Sequence, residues 1–145
     1  MILQDVAKSA LGVVVAQKLD LSKKLDFGDS LIMKHASNGV LYFLISDAMN
    51  YATGNSSKLL NGNMYGVIDD SLFLGSLSLG SELTKADEML YDTLSNVTRD
   101  RNTINILVDS AIVSTGRILG DYIDMTPSLP NYIKAIRHPT MLFGK

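Results

Sequence analysis

The chain has 145 residues and a formal net charge of −2, enough for one domain with its own core. It has no cysteine, which excludes disulfides, thiolate metal sites, cysteine-bound iron–sulfur clusters and a thiol nucleophile. Charged residues make up 19% and mean hydropathy is +0.16. The chain is greasier than an average soluble domain, and no basic excess points to nucleic acid.

Residues 3–19 read as a helix with Val6, Ala10, Val13 and Val14 on one face. Asp5 precedes the apolar stretch and no basic segment leads it, so no cleaved signal peptide is expected. The charged stretch 19–30, with Gly28, reads as a surface connection. A second helix is expected to start at Ser37 or Asn38, both good caps, and to stop at Gly54. Its apolar residues, from Val40 through Ile45 to Met49, nearly encircle the axis, so it should be covered on most sides. Residues 55–63 form a loop rich in turn formers.

The third apolar segment is 64–83, and its second half, SLFLGSLSLGSEL, admits two readings. Leu72 and Leu74 alternate, then Leu77 and Leu79 alternate in the opposite phase. A strand would therefore need a bulge at Gly75–Ser76. A helix needs none, and it sets small residues four apart at Ser71/Gly75 and Ser76/Gly80. The same spacing recurs at Gly12/Ala16, Ala48/Ala52 and Gly116/Gly120. Such pairs let backbones approach closely and are enriched where helices meet in membranes. These ten positions are the candidate helix-packing residues.

A fourth helix is expected over 84–97, with Thr84 and Asp87 as a capping box and Ala86, Leu90, Thr93 and Val97 inward. After RDRN (99–102), Asn102 or Thr103 should cap a long helix over 104–124. Its expected core stripe is Ile104, Leu107, Ala111, Thr115, Ile118 and Tyr122. The tail from Met125 carries Pro127, Pro130 and Pro139, and a short helix fits over 131–137.

These readings give a mainly α fold, a bundle of about five helices over 1–124 with a proline-punctuated, basic docking tail over 125–145. The bundle is expected to be membrane-embedded or membrane-apposed. Each long apolar segment after the first helix contains an acid: Asp47, Asp69 with Asp70, and Asp109. An acid at a bilayer centre costs about 3 kcal/mol, so these four should be interior polar groups or boundary markers. In the tail, Lys134, Arg137 and Lys145 are the contact candidates.

Little in the sequence points to catalysis. Adjacent aspartates on a helix diverge by about 100°, so Asp69 and Asp70 read better as acids near a helix N-terminus than as a converging pair. His35 and His138 stand far apart without a ligand motif and read as surface residues. No phosphate loop or nucleophile elbow is present. Asn96-Val97-Thr98 matches a glycosylation sequon inside an expected helix. No metal, cofactor, nucleic acid or small-molecule substrate is expected. The function expected is that of a non-enzymatic structural or assembly protein, packing through small-residue faces in or against a membrane within a larger assembly. A membrane-linked viral shell is one such setting. The alternative is a soluble helical domain that oligomerises or binds a protein. The expected partners are other proteins, copies of the chain itself, and lipid.

Overall fold

The computed structural model describes residues 2–143, without the side chains of residues 2, 3 and 22. It is helical, with no strand among the described residues. The order is α1 (Ile2–Lys18), α2 (Leu21–Lys24), α3 (Leu31–Ala52), α4 (Met64–Leu83), α5 (Ala86–Ser95), α6 (Arg101–Asp124), α7 (Asn131–Arg137) and a closing 3-10 helix, Pro139–Phe143.

The caps explain the boundaries. Ser30 accepts from Met33 N and starts α3 seven residues before the expected Ser37. Asp26 Oδ1 accepts from Gly28 N and turns the chain just ahead of it. Inside the helix, Ser37 donates back to the Met33 carbonyl and Asn38 reaches across to Ser78. Asn63 accepts from Gly66 N and starts α4, and Asp100, rather than Asn102 or Thr103, caps α6. Such caps are worth about 1 kcal/mol each. The capping box expected at Thr84 is absent. Thr84 donates to the Gly80 carbonyl and closes α4, while Lys85, with φ 61°, opens α5 without a side-chain cap.

The helix pair α3–α4 is the spine, antiparallel and in the most extensive contact of the fold. The core gathers Val13 and Ala16 of α1, Tyr42, Phe43, Ile45 and Met49 of α3, Leu74 of α4 and Val113 of α6. Leu11 of α1 lies outside it, 68% exposed. α6 packs on α1 through small polar residues, with Ser114 donating to Ser9 in a fully buried pair. This turns α6 from the expected register. Of the expected stripe Ile104 is buried and Leu107 and Ala111 are half-buried, whereas Thr115, Ile118 and Tyr122 face out, and Ser110, Val113, Ser114, Gly116, Gly120 and Ile123 are buried instead. A serine whose hydroxyl reaches the preceding turn, as Ser110 does to Ile106 O, fits where a leucine would hold the helices apart. In α5 no residue is buried: Leu90 and Thr93 are exposed, and Val97 just beyond it is 83% exposed.

No helix among the described residues is long and apolar enough to cross a membrane. Asp47, Asp69–Asp70 and Asp109 interrupt the segments that come nearest. The expectation of an embedded bundle gains no support from the fold.

Candidate functional site

Three features stand out: a clasped tail, a buried polar network and an open apolar groove.

The clasp is built on Asp69 and Asp70, which lie in the second turn of α4 and not at its N-terminus. Both turn to the tail and its neighbours. Asp69 is buried and accepts from Thr140 N (2.9 Å), Thr140 Oγ1 (2.9 Å) and His138 Nδ1 (3.2 Å). Asp70 accepts from Lys58 Nζ (2.7 Å) and Arg137 Nη1. Arg137 is 6% exposed, also donates to Asp124, and lies 5.1 Å over the Phe73 ring. Gly120 gives it room, since a Cβ there would meet Arg137 Nε at 2.9 Å. His138 is therefore no free surface residue, as it also contacts Asp124. Lys134 is half-buried without an ion pair among the described residues, and Lys145 lies outside them.

The network lies where α3 crosses α4. His35 is buried, against the surface role expected of it, with Nδ1 2.8 Å from Ser78 Oγ and Nε2 2.9 Å from Glu82 Oε2. Serine, histidine and carboxylate are also the parts of an acyl-transfer triad. Here Ser78 is buried and accepts from Asn38 Nδ2, so the arrangement ties α3 to α4. Lys34 and His35 both hold the Glu82 carboxyl below its ordinary value, His35 the more strongly. Nearby, Tyr42 donates to Asp109 at 2.8 Å. Burial pushes Asp109 up, with the Tyr42 bond opposing it. Burial first, then the Asp109 charge, push Tyr42 well above its usual range.

The groove runs between α1 and the C-terminal half of α3, has a volume of about 680 Å³, and is closed at one end by residues 57–60. Gly12, Ala16, Ala48 and Ala52 line it, two of the four-spaced pairs read in the sequence. Leu11 and Val15 of α1, with Leu19 just beyond its end, form one rim, Leu11 being 68% exposed, and Leu59 and Leu60 form the loop wall. Asp47 fixes that wall. It is buried and accepts from Ser57 Oγ (2.6 Å), Lys58 N (2.8 Å) and Leu59 N (3.3 Å).

The other small residues divide. Gly75 is buried at the α3–α4 crossing beside Ser71, whose carbonyl oxygen meets Gly39. Gly116 admits the Leu74 side chain, which a Cβ would overlap. Gly12 is close to Ile45 of α3. Ser76 is exposed and donates to Leu72 O of its own helix, and a Cβ on Gly80 would meet open space, so neither lies at a crossing. Ala48 and Ala52 are exposed in the groove. Gly39, absent from the four-spaced pairs, makes the closest approach to another helix's backbone among the described glycines, paired with Gly75 across two helices where no fixed spacing could show it. No family model, curated protein or solved structure matches this chain.

Proposed function

We propose that the protein is a non-enzymatic assembly module that pairs with a second copy of itself through the α1–α3 groove. The observation that supports this is the conjunction of ridge and groove on one face. Leu11, Val15 and Leu19 recur every four residues as an exposed apolar ridge. Beside it, Gly12, Ala16, Ala48 and Ala52 leave the space that such a ridge fills. Ridges of one helix seat in the grooves of another, and a two-fold axis would let each copy supply both. A small-molecule site is the poorer fit, because such pockets carry convergent polar groups. Of the polar residues lining it, Asp47 and Ser57 are already bonded to each other, Thr53 donates to the Met49 carbonyl, and Lys8 and Tyr51 are exposed.

Light scattering on the eluting protein over a range of concentrations tests this reading. Dimers are expected, converting to monomers in Leu11→Glu and in the groove-filling Ala48→Trp, with helical circular dichroism retained. A wild-type protein that stays monomeric throughout, or that floats with liposomes without self-association, overturns it.

A further inference from the structure

A second, smaller pocket of about 90 Å³ is lined by residues of α3, α4, α6 and α7 together with Lys58. Three cations line it, Arg117, Arg137 and Lys58. Two carboxylates face them, Asp70 and Asp121. Asp70 is occupied, since Lys58 and Arg137 both donate to it. Asp121 is exposed and forms no ion pair with Arg117. Arg117 thus has no carboxylate partner among the described residues. Its Nη1 donates only to neutral acceptors: the Ser46 carbonyl (3.1 Å), Ser46 Oγ (2.8 Å) and Asn50 Oδ1 (3.0 Å).

Those bonds leave donors over. Ser46 and Asn50 use their oxygens on Arg117, so the serine hydroxyl hydrogen and the Asn50 amide have no acceptor among the described residues. Arg117 Nε and Arg137 Nε are buried without a hydrogen-bond partner among the described residues. A half-buried guanidinium without a counter-ion, ringed by spare donors, is costly unless an acceptor arrives. The complement of such a lining is an oxyanion, which accepts on every oxygen and carries the missing charge. A space of about 90 Å³, against the roughly 10–15 Å³ that admits a single water, leaves room for a phosphate-sized group.

We propose that this pocket binds a small tetrahedral oxyanion on Arg117, with Ser46 and Asn50 as hydrogen-bond donors and Lys58 and Arg137 as flanking charges. This site is independent of the α1–α3 groove and stands whether or not the chain self-assembles.

The test is thermal unfolding and calorimetric titration of the full chain with inorganic phosphate, against chloride at equal ionic strength. Wild type is expected to show a saturable rise in Tm with phosphate and with sulfate. Glycerol phosphate binding as well as inorganic phosphate would also support the site, with an ester as source. Arg117→Gln is expected to weaken phosphate binding roughly tenfold or more, the worth of a charge-assisted bond. Asn50→Asp keeps an acceptor for Arg117, so it should fold, and it sets a carboxylate where the anion would lie. It should abolish the phosphate response, whereas the remote Lys34→Gln should leave it intact. No saturable response in wild type, an undiminished one in Asn50→Asp, or an equal one to acetate would each overturn the assignment.

Discussion

Gly39 of α3 lies against Gly75 of α4 with no side chain between them. A Cβ on Gly39 would stand 2.9 Å from Gly75 N and Cα and would overlap the Ser71 carbonyl oxygen. A Cβ on Gly75 would stand 2.9 Å from the His35 carbonyl oxygen. Backbone atoms cannot rotate away, so relief requires the helices to move apart. That would stretch the adjoining bonds of His35 to Ser78 and Glu82. Gly39→Ala should therefore destabilise by about 1–3 kcal/mol. Gly80→Ala faces open space and should gain roughly 0.5–1 kcal/mol from helix propensity. Urea midpoints of the two variants measure the contrast. Similar effects at both positions would refute the close crossing.

The pH dependence of stability has a sign that follows from the Tyr42–Asp109 pair. Burial raises the folded Asp109 carboxyl above its ordinary 3.8, so over the interval just above that value the folded state holds more protons than the unfolded. Stability then falls as pH rises through the interval and levels off above it. Tyr42 is raised from 10.0, by burial first and by Asp109 next. The folded state keeps that proton when the unfolded state releases it, so stability falls again as pH rises above about 10. Asp109→Asn retains an oxygen to accept the Tyr42 hydroxyl and removes the buried charge. It should be at least as stable as wild type at pH 7, the margin shrinking toward pH 4, with the alkaline loss reduced but present. Urea midpoints against pH follow both limbs. A variant weaker than wild type by the same margin at every pH would count against the pair as the source.

Local rules made some of this fold legible and tertiary contacts hid the rest. The bounds of α4 and α7 follow from loop residues and prolines on either side, which act within a turn or two. The start of α3 does not, because Ser30, Ser37 and Asn38 are all competent caps, and only packing decides that Ser37 and Asn38 stay helical. Hydrophobicity marks Ile104 correctly on α6 but misses the rest of its buried face, where Ser114 meets α1, Gly116 meets Leu74 and Gly120 meets Arg137. The four-spaced pairs mark Gly12, Ala16, Ala48 and Ala52 as helix-packing residues, whereas in the fold they line an open groove, and the spacing says nothing of Arg117, whose neighbours lie 71 and 67 residues away along the chain. Asp69 and Asp70 were conspicuous in the sequence, but their partners sit on the far end of the chain.

Those partners make the tail a part of the fold. Asp69 takes both hydrogen bonds that Thr140 can donate, one from its backbone and one from its hydroxyl, as well as His138 Nδ1. Asp69→Ala would leave these buried groups unmet, at a cost on the order of 2–4 kcal/mol. Thr140→Val keeps the backbone bond and should cost only about 1 kcal/mol. The loss should be local, because α7 and the closing 3-10 helix touch the bundle through α4 and α6. Limited trypsin digestion reads this directly. Arg137 is buried in its ion pairs in the wild type, so cleavage after it should be slow there and fast in Asp69→Ala, before the bundle itself is cut. Slow cleavage in Asp69→Ala, alongside a lowered global stability, would mean that Asp69 supports the bundle and that Asp70 and Asp124 alone hold the tail.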